Sequence, residues 1–352
     1  GAGGCISVML LINALATAVA AALVLIVFIW LERRGMQATW GDVRRGLWMT
    51  LTRAGLLRLN RSDDDPRNWR PHFLVLSGAP QRRWHLVELA DALSHSRGLL
   101  TVATVVPEDS VDTGRRRALE SSIQEFMLKR GVQGLTRVMP APNYLAGAER
   151  LVDAYGLGPL TPNTVLLGNS QKEESLDRYC DVIEYLYGHR RNVLVVREAP
   201  GVSFSFGHRA LIDVWWGGLQ GNGSLLMILA YLLRTSLPWR GAEVRLKMVA
   251  ETREAAAAAR KNMEELVAAT RMGLQTEVLV SKGRPFHDIL VESASDADLV
   301  LMGMRRPQEP GKYADYYREL QTRTEGLPTT LFVLAGEEIT FRDVLFRGPP
   351  QE

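Results

Sequence analysis

Ala210-Leu-Ile-Asp-Val-Trp-Trp216 is a short apolar run that comes after the turn-rich stretch Glu198-Ala-Pro-Gly-Val-Ser-Phe-Ser-Phe-Gly207. A run of this length and composition, bounded by glycine and proline, reads as a buried strand. Downstream of it the pattern gives a helix over 223–235, strand Glu243-Val-Arg-Leu-Lys-Met-Val249, a long helix over 253–272 and strand Thr276-Glu-Val-Leu-Val280. A helix over 285–294, strand Asp298-Leu-Val-Leu-Met-Gly303, a helix over 311–325 and strand Thr329-Thr-Leu-Phe-Val-Leu334 complete the set. The same grammar has already run once upstream. Strand His72-Phe-Leu-Val-Leu-Ser-Gly78 opens it, then a helix over 81–96, strand Leu99-Leu-Thr-Val-Ala-Thr-Val-Val106, a helix over 113–130 and a weaker strand over 135–139. A helix over 145–155, strand Thr164-Val-Leu-Leu-Gly168, a helix over 172–188 and strand Asn192-Val-Leu-Val-Val-Arg197 close it. Strands separated by helices imply a mainly parallel, doubly wound sheet. The ends of the two passes rhyme: Val165-Leu-Leu-Gly-Asn, helix, Val193-Leu-Val-Val matches Val300-Leu-Met-Gly-Met, helix, Leu331-Phe-Val-Leu. The chain is therefore expected to hold two tandem α/β halves, at 72–200 and 207–340, with a tail at 341–352.

Upstream of these halves, residues 1–31 contain no charged side chain. At ~1.5 Å per residue such a run can cross ~30 Å of hydrocarbon, so a transmembrane helix is expected within 1–34. The flank Ile29-Trp-Leu-Glu-Arg-Arg34 has no cleavage-site character, and Trp30 suits a headgroup boundary. Residues 32–61 carry seven arginines, Arg33, Arg34, Arg44, Arg45, Arg53, Arg58 and Arg61, against Glu32 and Asp42. By the positive-inside rule this flank and everything after it face the cytoplasm. Because the sequence opens Gly-Ala-Gly-Gly, earlier spans of a larger protein are expected before it. Residues 35–71 read as connector and linker, with Trp40, Val43, Leu47, Leu51 and Ala54 at helical spacing and a polar, proline-bounded stretch Asp63-Asp-Asp-Pro-Arg-Asn-Trp-Arg-Pro71.

Composition narrows the chemistry. Hydrophobic residues at 46% and charged residues at 23% exclude a disordered chain, and the net charge of +3 is spread too evenly to imply nucleic acid. Two cysteines, Cys5 and Cys180, cannot build a disulfide framework. The histidines, His72, His85, His95, His189, His208 and His287, show no metal-ligand spacing. The loops after the strands, where an open parallel sheet holds ligands, offer no phosphate-binding glycine pattern: Ser77-Gly-Ala-Pro80, Gly168-Asn-Ser-Gln and Gly303-Met-Arg-Arg all lack it, and Gly311-Lys312 is followed by Tyr313. Ser77 has no implied base and reads as a turn residue. Asp213, inside an apolar strand, is expected to cap backbone or pair with an arginine. His287-Asp288 and Arg115-Arg-Arg117 read as helix starts. No catalytic, cofactor-binding or metal residue is assigned, and no enzyme activity is expected.

Asn68-Trp-Arg-Pro71 leading into a strand that ends Leu76-Ser-Gly78, and above all Ile212-Asp-Val-Trp-Trp216 followed by glycines, by Leu225-Leu-Met-Ile-Leu-Ala-Tyr-Leu-Leu233 and by Trp239, resemble the cytosolic C-terminal domain of the cation-chloride cotransporters. The resemblance covers nearly the whole chain. It implies a last membrane helix feeding a connector helix, then two α/β halves similar to universal stress proteins that form a homodimer and tune ion transport. The partners it implies are the transporter's own upstream bundle and the lipid bilayer. Gly221-Asn-Gly223 stands where the family carries an acidic residue before paired glycines, and Ala230 where a proline precedes Tyr231. Short loops suggest a prokaryotic member. The competing expectation is a membrane-tethered, nucleotide-sensing domain of the stress-protein type.

Overall fold

The computed structural model describes residues 13–33, 40–62, 69–95, 98–110, 112–170, 172–199, 211–217, 221–270, 273–309 and 311–337. It separates into two units, Gly1–Ser62 and Asp63–Glu352.

The first unit contains α1 (Ala14–Arg33) and α2 (Trp40–Leu59). Asn13, a polar residue within the apolar run, starts α1: its side chain accepts from the Ala16 amide at 3.0 Å. The 20 residues of α1 give a rod of about 30 Å. Its side chains Leu15, Val19, Leu23, Val24, Leu25 and Ile26 are exposed. Among the described residues no helix is long and apolar enough to cross a membrane; the side chains of 27–33, which would complete the apolar run, and residues 1–12 lie outside them. On α2 the apolar residues do not form the single stripe expected. Trp48 and Met49, both exposed, stand about 100° and 200° around the helix from Leu47. The side chains of Trp40 and Val43 lie outside the described residues.

In the second unit the chain runs β1 (Phe73–Leu76), α3 (Trp84–Ser94), β2 (Leu100–Pro107), α4 (Thr113–Lys129), β3 (Leu135–Ala141), α5 (Tyr144–Ala154), β4 (Thr164–Gly168), α6 (Glu173–Gly188) and β5 (Asn192–Arg197). It continues β6 (Leu211–Trp215), α7 (Gly223–Thr235), β7 (Glu243–Ala250), α8 (Arg253–Thr270), β8 (Gln275–Val280), α9 (Phe286–Ser293), β9 (Leu299–Gly303), α10 (Tyr313–Arg323) and β10 (Thr330–Leu334). Most of the linker 198–207, together with Ala210 and the tail after 337, lies outside the described residues.

The strands form one ten-stranded sheet in the order β3-β2-β1-β4-β5-β10-β9-β6-β7-β8. The strands of the two tandem halves join in this one sheet. Each contributes five strands in the same relative order, and the last strands of each pair antiparallel, Val195 opposite Phe332, while every other pair is parallel. The physical reason lies in β5 and β10 themselves: both are fully apolar in their middles and carry no proline, and the charge of β5, Arg197, stands at its end, where it reaches Thr324 and lies over the Phe332 ring instead of guarding an edge. Pairing them removes two edges at once.

Alternation along the strands sends side chains into two cores. Phe73 and Val75 of β1 and Ile212 and Val214 of β6 pack with α3, α4, α7 and α8 on one face. Leu74 and Leu76, with Trp215, pack with α5, α6, α9 and α10 on the other. Burial on both faces is why these strands read as continuous apolar runs. Across the seam, Nε2 of His95, the residue after α3, donates to the Leu232 carbonyl on α7 at 2.6 Å. On the other face Glu184 of α6 accepts from the Gly311 and Tyr313 amides at 2.9 and 3.1 Å.

Candidate functional site

The pairing registers fix which positions correspond in the two halves. Phe73 pairs Leu100 and Thr164, as Ile212 pairs Val244 and Leu299. Counting along from these, Leu74, Thr101 and Ala103 correspond to Asp213, Arg245 and Lys247, and Arg137 corresponds to Glu277.

Asp213 is fully buried on β6. Arg245, directly opposite on β7, grips it with both ends of the guanidinium fork, Nε to Oδ1 at 2.6 Å and Nη2 to Oδ2 at 2.9 Å. Lys247, two residues on and therefore on the same face, brings Nζ to Oδ2 at 2.9 Å and is itself only 1% exposed. Its ammonium also donates to the carbonyl and hydroxyl of Ser293, the last residue of α9, so it satisfies a carbonyl that the helix end leaves open. Glu277 on β8 and Asp296 beyond α9 complete the cluster at 3.5 Å from Lys247 and 2.7 Å from Arg245. Burial alone would lower the pKa of Arg245, but the hydrogen bonds to Asp296 and Asp213 outweigh it and raise it above its ordinary value. The same bond holds the Asp296 carboxyl below the usual range. The expected arginine partner of Asp213 is present; Lys247 was not anticipated, because Arg245 and Lys247 alternate with apolar residues as solvent-facing positions do.

Above this cluster lies a cleft of about 680 Å³ at the carboxyl ends of β6, β7 and β9. Trp215 connects the two: Lys247 Nζ lies 6.0 Å from its ring centroid, and its other neighbour, the Phe286 ring, meets it edge-on at 5.8 Å. Met248 and Met302 add apolar wall; Arg284, Arg305, Glu251 and Ser281 supply polar groups. Asn222 precedes α7 but gives that helix no side-chain cap. Its amide instead donates to the Met304 carbonyl at 2.6 Å and accepts from the Ala335 amide at 2.8 Å, tying the ends of β9 and β10 together. In the first half Arg83 holds the position of Asn222, and its guanidinium lies against Gly168 as the Asn222 amide lies against Gly303. A Cβ on either glycine would sit 2.9 Å from these side chains, so neither tolerates one without movement. The shorter asparagine leaves room where the arginine fills it.

The other residues singled out in the sequence fall in separate places. Ser77 is buried, and its hydroxyl reaches only the Gly78 carbonyl at 3.5 Å. His287 does more than open α9: its Nδ1 donates to the Arg323 carbonyl at 2.8 Å, joining α9 to the end of α10. Arg115 lies in the first turn of α4, where Asp112 caps its amide at 2.7 Å. Asn169 accepts from Tyr317 at 2.6 Å and Gln321 at 3.2 Å, so the loop after β4 is held by α10. Lys312 precedes α10 and pairs with Glu309. Cys180 is buried, which pushes its thiol up to about 12 and leaves it inert. Among the described residues no group of three or more His, Cys, Asp or Glu is placed to hold a metal ion.

Comparison with known proteins adds what the geometry alone does not carry. A potassium/chloride cotransporter 3 of Caenorhabditis elegans is 28% identical over 269 residues, 71% of this chain and 25% of the relative, so the chain spans about a quarter of the length of that relative. The cytoplasmic domain of a prokaryotic cation chloride cotransporter shares the fold at a TM-score of 0.58 and 19% identity, over 78% of this chain and 99% of that one. A universal stress protein from Archaeoglobus fulgidus is similar over 76% of this chain and 98% of its own, at 14% identity and a TM-score of 0.48. The family model of solute carrier family 12 matches residues 83–210 and 206–284, running through both halves of the sheet and across the Asp213 cluster, and the chain belongs to that family.

Proposed function

We propose that this chain is the cytosolic regulatory and dimerisation part of a cation-coupled chloride symporter, entered from the membrane through α1. The observation that carries the proposal is the family match through both halves of the sheet, supported by a fold shared with nearly the whole cytoplasmic domain of a prokaryotic cation chloride cotransporter. The exposed apolar side chains of α1 and the exposed arginines Arg44, Arg45, Arg53, Arg58 and Arg61 that come after it fit a helix in lipid with its basic end inside. In this reading the ion path lies upstream of Gly1, and the α/β unit sets how often it opens.

The nucleotide-sensing alternative draws support from the cleft over Trp215, but one contact argues against it. Phosphate groups favour the free amides at a helix N-terminus, and at α10 the Gly311 and Tyr313 amides are already occupied by the Glu184 carboxylate. The regulatory reading is tested by reconstituting the parent carrier in vesicles with and without residues 63–352. Chloride-dependent rubidium uptake is expected for the intact carrier, with a change of about fivefold or more on deletion. Uptake indifferent to chloride, or to the deletion, would overturn it.

A further inference from the structure

The amino ends of β1, β2 and β3 enclose a second pocket, of about 340 Å³, far along the strands from the cleft over Trp215. It lies within the size range of small-molecule sites. Its apolar walls come from Leu135, Leu157 and Leu160. The wall after α5 is a shaped turn rather than slack chain: Gly156 stands at φ +136 and Gly158 at φ +54, and Leu157 and Leu160 exchange backbone hydrogen bonds across it. A side chain on Gly156 would collide with Thr161, its Cβ falling 2.6 Å from Cγ2.

Three polar features face this space. Thr101 and Tyr155 satisfy each other, hydroxyl to hydroxyl, at 3.1 Å. His72 Nδ1 accepts from the Leu99 amide at 3.1 Å, which puts its proton on Nε2, and burial holds the ring neutral by lowering its pKa. Arg137 is different. Its Nε is buried without a hydrogen-bond partner, and the nearest carboxylate, Glu120, lies 3.9 Å from Nη1 with Oε1 already accepting from the Val138 amide at 3.0 Å. An apolar chamber with one under-satisfied guanidinium at its rim matches a molecule with an apolar body and one carboxylate, since that pairing is planar and bidentate. The second half shows the same chemistry met from within: its corresponding space is filled by Arg245, which takes the carboxylates of Asp213 and Asp296.

We propose that this pocket binds a small aryl or alkyl monocarboxylate, with its carboxylate on Arg137 and its apolar body against Leu135 and Leu160. The site is independent of the transport reading, and a carrier of any ion could be tuned through it. The probe is 4-phenylbutyrate, titrated by calorimetry and ligand-detected magnetic resonance into the 352-residue chain held in lipid nanodiscs. Saturable binding is expected, with a dissociation constant on the order of millimolar or tighter. Arg137→Gln should weaken it about tenfold, and the neutral 4-phenylbutanol should bind wild type and Arg137→Gln alike, about tenfold weaker than the acid binds wild type. Leu135→Trp, which fills the mouth, should abolish binding of both. If that variant melts early, Leu157→Trp on the exposed turn serves the same purpose. No saturable binding within the probe's solubility, equal affinity for acid and alcohol, or binding that survives both tryptophan variants would each overturn the proposal.

Discussion

Where the first half closes the face beneath α5 with Leu74, Thr101 and Ala103, the second half sets Asp213, Arg245 and Lys247 at the same three positions beneath α9. One topology is thus held in two ways. In the first half α5 packs through Ala148, Leu151 and Val152, with Gly147 lying close against Val105. In the second half α9 is a turn shorter, offers only Ile289 and Leu290 as fully buried residues, and is pinned at its end by cations reaching Ser293 and Asp296. The open spaces are exchanged as well. The second half has its cleft at the carboxyl ends of the strands, beside the short Asn222; the first half fills that side with Arg83 and keeps its pocket at the amino ends. A short helix with little apolar area can be fixed over a sheet if its carbonyls are given buried charge, provided every charge has a partner.

The largest effect is expected from breaking that condition. Asp213→Leu alone places the first-half residue beside the buried Lys247 and the half-buried Arg245 and should cost about 3–5 kcal/mol in urea denaturation. Adding Arg245→Thr and Lys247→Ala, which completes the first-half set, should restore stability to within about 2 kcal/mol of wild type, because a buried ion group replaced as a whole loses little. If the triple variant is no more stable than the single one, the correspondence between the halves does not extend to their energetics.

A smaller effect separates the halves by pH. His85 on α3 is buried; that burial first, and the nearby Arg83 charge second, lower its pKa from 6.5 to about 4, so the neutral ring is the folded form, with Nδ1 3.2 Å from a Glu198 carboxylate oxygen. A group whose folded pKa lies below its unfolded one holds its stability in full above the unfolded value. The contribution is therefore complete above pH 6.5 and drains away as pH falls toward 4, amounting to roughly 3 kcal/mol at most. Asp296 in the second half, also held low, gives way only at pH below the ordinary carboxylate range. On acidification the amides of α3 should lose exchange protection before those of α9, and His85→Gln should reduce the slope between pH 6.5 and 4, leaving the part due to His72, whose pKa burial also lowers.

Much of this was legible in the chain. Apolar runs such as Val193-Leu-Val-Val196 and Leu225-Leu-Met-Ile-Leu229 announce buried strands and a buried helix, and each strand and helix of the second unit lies where its pattern places it. The single sheet was not, because pairing of β5 with β10 joins strands more than a hundred residues apart in the chain and no local pattern encodes it, although the lack of any proline or mid-strand charge in either strand was an available sign. The cluster was half visible. Asp213 stands out within an apolar strand, but Arg245 and Lys247 keep the polar-apolar alternation of a solvent-facing strand, and only the register of β6 on β7 turns them inward. Asn222 teaches something similar: its position before α7 suggests a cap, whereas its amide spans the ends of β9 and β10.

The β5–β10 seam already pairs the two halves within one chain, so association between chains must use another surface of the unit. Light scattering of residues 63–352 at tens of micromolar measures this directly. Twice the mass of one unit is expected; a single-unit mass persisting to high micromolar concentration would contradict the dimerisation role.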